Sequence, residues 1–421
     1  MRYLVLLVSF LVVSTSWTQT SKVEVAQNGA SYQLMVDGEP YYVKGVGGHV
    51  QLDAAVKVGA NTIRTWGLEN AKARLDEAHE KGLKVMMGIW MAHERHGFDY
   101  SNNWATQDQL KGVRQAVLEL KDHPALLMWG VGNEVDLFYS DFNVWHATEN
   151  IAKMIHEVDP NHPTCAVTAG IDVAEIQLIK MHAPSIDILG INTYGAIGTL
   201  KDQIDLYGWD KPYLVTEWGP TGHWEVQKTP WGASVEESST EKAKQYRNRY
   251  LTGIAADEEQ CMGSFVFLWG QKQETTPTWY GVFLESGLQT EALDVLEEVW
   301  TGEAPANKAP QIQSFTINEQ DKTKDVTLSK GDPAVIRLDF SDADNNVKVV
   351  RWEVLPESTD IKAGGDVEDR PEAILGLVKF NKLSGEGTLT LPNQIGAYRL
   401  FVYVEDTEGK AATSNIPFYI N

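Results

Sequence analysis

Two glutamates end apolar segments of the sequence, and their type and position indicate acid–base chemistry. Glu134 lies near the end of "ALLMWGVGNEV" (125–135), and Glu217 lies near the end of "PYLVTEWG" (212–219). A single glutamate after a strand is often only a charge at a helix N-terminus, but two in the same position are harder to explain as surface charge. Cleavage of a glycosidic bond uses such a pair: one carboxylic acid protonates the leaving oxygen, and one carboxylate attacks or activates water.

The segments that must position these glutamates alternate between short apolar strands and amphipathic helices. The predicted strands are 41–48, 61–67, 83–90, 125–135, 163–170, 187–195, 212–219 and 263–270. A helical stretch follows each strand; Gly82 is placed to end one helix, and Ser239 or Thr240 to begin another. Eight such units match the length of a (β/α)8 TIM barrel, with a doubly wound sheet as the alternative. In a barrel all the C-terminal strand ends meet at one mouth, which would bring Glu134 and Glu217 together.

The sequence predicts an α/β TIM barrel followed by a small all-β, immunoglobulin-like sandwich. The predicted parts are a signal peptide (1–20), a catalytic barrel with an N-terminal β-hairpin (21–301), a Pro/Ala linker (302–310) and the sandwich (311–421). The apolar core of the signal peptide, Tyr3 to Val13, is shorter than the roughly 20 residues of a membrane anchor. We therefore expect no membrane anchor and export to the periplasm, the cell surface or the medium.

Composition excludes several classes of partner. The formal net charge of −22 disfavours nucleic acids, anionic membranes and polyanionic substrates, since these require a basic surface. Cys165 and Cys261 lie far apart in apolar surroundings, which favours buried thiols over a disulfide. No metal-ligand spacing is present, so we expect no cofactor and no metal; the segment "SDADNN" (341–346) is interpreted as a solvated turn rather than a calcium site. A neutral polysaccharide or oligosaccharide remains as the partner of an expected monomer.

At these motifs the chain resembles the retaining glycoside hydrolases of the (β/α)8 superfamily called clan A, over about residues 41–300. The resemblance rests on "GNE" and "TEWG" at the ends of the fourth and seventh strands together. It implies that Glu134 is the acid/base and Glu217 the nucleophile of a double-displacement mechanism.

The same resemblance implies roles for other strand-end residues. Asn133 would hold the sugar 2-hydroxyl, and Trp269 would be the aromatic platform under the sugar being cleaved. Arg64 and Tyr194 would orient Glu217 and keep it ionised, with ordinary strand-end hydrogen bonding as the alternative. Further aromatic candidates for substrate binding, at strand ends and in the loops 222–232 and 276–281, are Trp66, Trp90, Trp224, Trp231 and Trp279.

Within this clan, the opening "YYVKGVGGH…GANTIRTWG" and the two-domain layout resemble secreted endo-β-1,3-glucanases (laminarinases) of Bacteroidetes. This implies a secreted retaining endo-β-1,3-glucanase acting on laminarin-type glucan. The alternatives are a β-1,3-glucanosyltransferase, another β-glycanase of the clan such as a mannanase or galactanase, and a non-catalytic glycan-binding barrel. Both glutamates together favour an enzyme, because a binding protein needs neither an acid nor a nucleophile. The sandwich is expected to give structural support, with carbohydrate binding as the alternative.

Overall fold

The computed structural model describes residues 20–421. The predicted signal peptide therefore lies outside the described residues, apart from Thr20. Among the described residues, no helix has both the length and the apolar character needed to cross a membrane.

The described chain begins with a small antiparallel sheet that precedes the barrel. Its strands are β1 (Val23–Asn28), β2 (Ser31–Val36) and β3 (Glu39–Tyr41). Asp37 and Gly38 form the turn between β2 and β3 with φ values of 53° and 87°. A two-residue turn with two positive φ values is the type I′ hairpin that an Asp-Gly pair favours.

Eight parallel strands follow and close into a barrel in their order along the chain. They are β4 (Val43–Gly47), β5 (Thr62–Arg64), β6 (Lys84–Ile89), β7 (Leu126–Val131), β8 (Thr164–Thr168), β9 (Ile188–Asn192), β10 (Tyr213–Trp218) and β11 (Cys261–Val266). Pairing of β11 with β4 closes the barrel and confirms the predicted fold over a doubly wound sheet. The glutamates predicted from strands four and seven thus leave the barrel at the ends of β7 and β10.

Helices connect the barrel strands. They are α1 (Leu52–Lys57), α2 (Ala71–Glu80), α3 (Asn103–Leu120), α4 (Asn143–Val158), α5 (Val173–His182), α6 (Leu200–Tyr207), α7 (Ser239–Arg249) and α8 (Glu291–Thr301). Gly82 lies just beyond α2 with a φ of 72°, as a helix-ending glycine does. Ser238 caps α7, one or two residues earlier than predicted. The reason is a capping box, in which Ser238 and Glu241 each accept from the other's backbone N–H.

Residues 311–420 form two four-stranded sheets, which confirms the predicted all-β second part. The strands are β12 (Gln311–Ile317), β13 (Val326–Leu328), β14 (Val335–Ser341), β15 (Val347–Pro356), β16 (Val378–Asn381), β17 (Glu386–Leu389), β18 (Gly396–Asp406) and β19 (Ala411–Ile420). Their orders are β12-β14-β17-β16 and β13-β19-β18-β15. Buried apolar residues including Ile336, Leu400 and Phe418 form the sandwich core. The exact domain limits remain a prediction.

Other sequence predictions concern the cysteines and the acidic turn. Cys165 and Cys261 are free and buried, as expected for apolar surroundings. The Asp342 carboxylate accepts the backbone N–H of Asn346 at 2.7 Å and thereby closes the acidic turn. Within residues 20–421, no group of three or more His, Cys, Asp or Glu side chains is arranged to hold a metal ion.

Buried polar contacts join the sandwich to the barrel. Lys410 Nζ lies 2.5 Å from Asp294 Oδ1 in α8. Asn415 Nδ2 donates to Glu236 Oε2 at 2.6 Å, and the Thr413 backbone N–H donates to Ser239 Oγ at 2.9 Å. Because buried polar groups are costly unless paired, these contacts fix the sandwich against α8, the start of α7 and the loop that precedes α7.

Candidate active site

Glu134 leaves the barrel through a turn of unusual backbone conformation. After β7, Gly132 has a φ of 72° and Glu134 a φ of 50°. A Cβ on Gly132 would lie 3.0 Å from Val135 Cγ1, so this position favours glycine. The Glu134 N–H donates to Val167 O of β8 at 2.9 Å. A left-handed conformation is uncommon for a residue other than glycine, and the bond to β8 helps hold it at the mouth of the barrel.

Glu217 is positioned by an irregularity in β10. It pairs with Asn192 of β9, and the register between the two strands shifts between Val215 and Glu217. Such a bulge re-aims side chains and is common beside active sites. The Glu217 side chain is buried, with the residue 5% exposed.

Three donors converge on the Glu217 carboxylate. Arg64 Nη1 and Trp66 Nε1 donate to Oε1 at 2.9 and 2.8 Å, and Tyr194 OH donates to Oε2 at 3.0 Å. Arg64 also donates to Asn133 Oδ1 at 2.6 Å, which links the ends of β5 and β7. Burial and the charge of Glu217 raise the pKa of Tyr194 well above 10, so the phenol keeps its proton. Charge-assisted hydrogen bonds stabilise an ionised Glu217.

Glu134 has fewer hydrogen-bond donors around its carboxyl group. Asn192 Nδ2 donates to Glu134 Oε1 at 2.8 Å, and Thr216 orients that amide by donating to Asn192 Oδ1, also at 2.8 Å. Burial raises the pKa of Glu134 well above the ordinary carboxyl range, and the charges of Glu217 and then Asp136 raise it further. Glu134 is therefore suited to carry a proton near neutral pH and to give it to a leaving group.

A cavity of about 750 Å³ opens at these two carboxyl groups. Trp66 and Tyr194 line it beside Glu217. Trp90 and Trp224 also line it, with 43% and 56% of their surfaces exposed. A tryptophan face can cover the apolar C–H side of a sugar ring, so the cavity combines carboxyl groups with surfaces suited to a carbohydrate. Of the predicted site residues, the catalytic pair, Asn133 and these four aromatic residues reach the cavity wall.

Trp269 does not reach the cavity, in contrast to its predicted role as the sugar platform. It is 1% exposed, its Nε1 donates to Val50 O at 2.9 Å, and its ring packs edge-to-face on Phe283. Phe267 and Leu268 line the cavity instead, because β11 already ends at Val266 and the chain turns Trp269 inward.

Trp231 and Trp279 also do not line the cavity. Trp231 packs on Tyr419 of the sandwich with ring centroids 5.8 Å apart. Trp279 is 2% exposed and donates its Nε1–H to Thr221 O at 2.9 Å. Of the three tryptophans expected to wall a cleft from these loops, only Trp224 does so.

The cavity contains residues that sequence reasoning did not select. Asn192, the donor to Glu134, lies near the end of the sixth predicted strand (187–195) and is the last residue of β9, so its position was the available signal. Glu225 accepts the backbone N–H of Gly195 at 3.0 Å and of Gly222 at 2.8 Å and so fixes two loops at the mouth. Residues 362–366 come from the sandwich, and no local sequence pattern predicts that they reach the barrel.

Comparison with known proteins finds similarity to glycoside hydrolases over part of the barrel. Residues 56–252 match the family described as "Glycosyl hydrolases family 2, TIM barrel domain". The chain is 25% identical over 255 residues to a β-glucuronidase of Paenibacillus borealis, covering 51% of this chain and 41% of that protein. It is 26% identical over 184 residues to the β-glucuronidase of Felis catus, covering 39% of this chain and 26% of that protein.

Solved structures share the fold. A family 2 β-galacturonidase from Eisenbergiella tayi bound to galacturonate superposes with a TM-score of 0.53 at 18% identity, covering 68% of this chain and 54% of that one. The β-glucuronidase 2 of Bacteroides uniformis, covalently bound to a cyclophellitol-6-carboxylate aziridine, superposes with a TM-score of 0.53 at 15% identity. The match covers 95% of this chain and 48% of that one.

The chain thus spans less than half the length of the two curated relatives named here. The matches show that part of the barrel is similar to a glycoside hydrolase barrel domain, and they do not single out the β-1,3-glucanases that the sequence motifs resemble.

Proposed function

We propose that the protein is a retaining β-glycosidase with Glu217 as nucleophile and Glu134 as acid/base. The contrast between the two carboxyl environments carries this proposal. Glu217 attacks the anomeric carbon while the Glu134 carboxylic acid protonates the leaving oxygen, so the glycosidic bond breaks and an ester to Glu217 forms. Water then loses a proton to Glu134 and displaces Glu217, which releases the sugar and restores both groups.

The cycle requires Glu134 to change from acid to base. The negative charge of Glu217 contributes to the raised pKa of Glu134, and that charge disappears when the ester forms. The pKa of Glu134 then falls, which favours removal of a proton from water. When the ester is hydrolysed, the returning charge on Glu217 prepares Glu134 to hold its proton again.

The charge of the cavity favours a neutral substrate. Its wall carries the carboxyl groups of Glu134, Glu217, Glu225, Glu274 and Asp366. The two lysines that line it are already engaged: Lys272 lies 2.8 Å from Glu274, and Lys362 lies 3.1 Å from Asp360. A neutral β-linked glucan fits this excess of carboxyl groups better than a negatively charged uronide does. Among such glucans, the sequence resemblance favours β-1,3-glucan.

A β-uronidase is the second candidate. The relatives named above are uronidases, and Lys272 lies in the cavity wall where it could leave Glu274 for a sugar carboxylate. This alternative requires a buried carboxylate, Glu274, to lose its ion-pair partner on binding, which is unfavourable.

A substrate screen tests the proposal. Full-length protein would be assayed for release of reducing sugar from laminarin, mixed-linkage glucan, mannan, xylan and galactan, and for cleavage of p-nitrophenyl β-glucuronide. We expect laminarin to be cleaved and the Glu217→Gln variant to be inactive. Cleavage of the glucuronide alone would support the second candidate, and no cleavage by the wild type would support a glycan-binding barrel.

We also propose that the protein is exported and acts as a monomer. Export is supported by the apolar segment at residues 3–13 and the small polar residues after it. N-terminal sequencing of protein recovered from the periplasm or medium would test it, with cleavage near residue 20 expected. Size-exclusion chromatography with light scattering would test the monomer.

A further inference from the structure

The connection between β15 and β16, residues 357–377, is unusually long for a β-sandwich. Loops longer than about 12–15 residues without regular structure are uncommon in compact domains and often functional. This segment, named here the sandwich loop, leaves the sandwich and reaches the mouth of the barrel. Its residues 362–366 line the same cavity as Glu134 and Glu217.

The sandwich loop is anchored to the barrel by polar contacts on both of its sides. Arg95 lies in the loop between β6 and α3, and its Nη1 donates to Asp366 Oδ2 and to Ala363 O, each at 3.0 Å. Lys272 Nζ donates to Gly365 O at 3.0 Å. Glu368, 5% exposed, accepts the backbone N–H of Thr275 at 2.6 Å. Since the buried Glu368 carboxylate would be costly without the Thr275 donor, this bond and the Arg95–Asp366 ion pair fix the loop at the cavity wall.

The same anchor continues into an aromatic surface of the cavity. The rings of Trp90 and His93 stack with centroids 4.7 Å apart and planes at 12°. His93 stacks on His96 at 5.5 Å, and His96 Nε2 lies 3.2 Å from Asp366 Oδ2. Burial lowers the pKa of His93 to about 4, so this middle ring is neutral at physiological pH. The exposed face of Trp90 and the sandwich loop thus form one continuous, supported wall.

We infer that this wall is a subsite for a further sugar unit, beyond the sugar bound at Glu134 and Glu217. The inference rests on the proposed glycosidase function and adds a specificity determinant supplied by the sandwich. Trp90 offers an apolar face, while the backbone at Gly364 and Gly365 offers polar partners for sugar hydroxyls. Asp366 and Arg95 position the loop, and the preferred substrate is an oligosaccharide long enough to contact it.

Kinetics on laminari-oligosaccharides of two to six units test this inference. The readout is kcat/KM for the pentasaccharide divided by kcat/KM for the disaccharide, measured with full-length protein. We expect this ratio to fall by about tenfold in Arg95→Ala and in Asp366→Ala, because each removes the same anchor. The double variant should fall no further than either single one. Asp369→Asn is the matched control, since Asp369 is an exposed carboxylate of the same loop outside the cavity wall, and its ratio should equal that of the wild type.

Gly364→Ala provides a variant that keeps every charge. Gly364 has a φ of 63°, and the Cβ of an alanine there would lie 2.8 Å from Arg95 Nη2 and Leu137 Cδ2. The loop should therefore shift outward, and the pentasaccharide-to-disaccharide ratio of kcat/KM should fall. This variant decides the question if the charge variants lack a cooperative thermal transition. The inference would be overturned, with the glycosidase proposal left intact, by either of two results. The wild type could cleave laminari-oligosaccharides without a length preference, or the anchor variants could lower kcat/KM equally for the pentasaccharide and the disaccharide. A wild type that cleaves no glycoside would overturn both.

Discussion

The two glutamates at the mouth of the barrel occupy opposite kinds of surroundings. Glu217 accepts from a guanidinium, an indole and a phenol. Glu134 accepts from one amide, that of Asn192, and has the carboxylates of Glu217 and Asp136 nearby. Two chemically identical side chains are thus prepared for different protonation states by the donors and charges around them.

The ends of the barrel strands supply the donors that distinguish the two glutamates. The donors to Glu217 come from the ends of β5 and β9, and the donor to Glu134 is the last residue of β9. Asn192 also contacts Asn133 Oδ1, at 3.3 Å, so the two regions share one hydrogen-bond network. Exchange of roles would require rebuilding several strand ends, whereas single substitutions should disable one role at a time.

Removal of the proposed nucleophile should have the largest effect. Glu217→Ala removes the attacking carboxylate and leaves the buried Arg64 charge without its partner, so kcat should fall by about 10⁴-fold or more. With an activated β-glycoside, added azide should enter the vacated space and give the inverted α-glycosyl azide. Product NMR would check this, and a β-glycosyl azide would mean that Glu217 is not the nucleophile.

Removal of the proposed acid/base should have a smaller, substrate-dependent effect. Glu134→Ala should slow cleavage of the natural glycan by about 10²–10⁴-fold, the usual contribution of general acid–base catalysis. Ester formation from a substrate with a very good leaving group should be largely spared, because that group needs no proton. Azide should intercept the ester and give the β-glycosyl azide. Equal losses on both substrates would contradict the assignment of Glu134.

The pH dependence of kcat/KM offers a finer test of the contrast. Activity should fall as pH rises through the raised pKa of Glu134, because the free enzyme needs the acid form. Asp136→Asn removes a charge that raises this pKa, so the alkaline limb should move to lower pH. Asn192→Ala removes a donor that lowers it, so the limb should move to higher pH. Asp108→Asn, an exposed carboxylate on α3, is the control for net charge and should leave the limb in place.

A second carboxyl pair beside the site should affect stability rather than chemistry. Burial raises the pKa of both Asp136 and Glu175, and the charges of Asp136 and Asp172 raise that of Glu175 further, so the folded state prefers the protonated forms. Their stabilising contribution is present below the unfolded pKa values and is lost as pH rises through the folded ones. Glu175→Gln should therefore make Tm less sensitive to pH between about 5 and 9, with a gain of about 2 °C at the upper end. Scanning calorimetry would measure it, and an unchanged Tm–pH slope would refute the claim.

The barrel and its carboxyl pair could be predicted because local patterns encode them. Each barrel strand is a short apolar run, and Glu134 and Glu217 interrupt or end such runs. Asn192 could have been selected by the same argument. The cap of α7 could have been placed from the Ser238-to-Glu241 spacing, which is a capping-box signal.

The aromatic and inter-domain parts of the site could not be predicted in this way. Strand position alone does not tell whether a tryptophan faces the mouth of the barrel or the core. Trp269 is buried in the core, and Phe267 lines the cavity. The contact of Asp366 with Arg95 joins residues far apart in the chain. Such contacts depend on how the sandwich packs on the barrel, and the periodicity of the sequence does not predict that packing.

The anomeric configuration of the first product distinguishes double displacement through Glu217 from a single displacement by water. Wild-type protein would be mixed with laminari-oligosaccharide in an NMR tube, and the anomeric proton of the newly formed reducing end would be followed from the first minutes. Double displacement through Glu217 predicts that the β-anomer appears first and that the α-anomer grows only by mutarotation. An initial burst of the α-anomer would show a single displacement by water and would contradict the assignment of Glu217 as nucleophile.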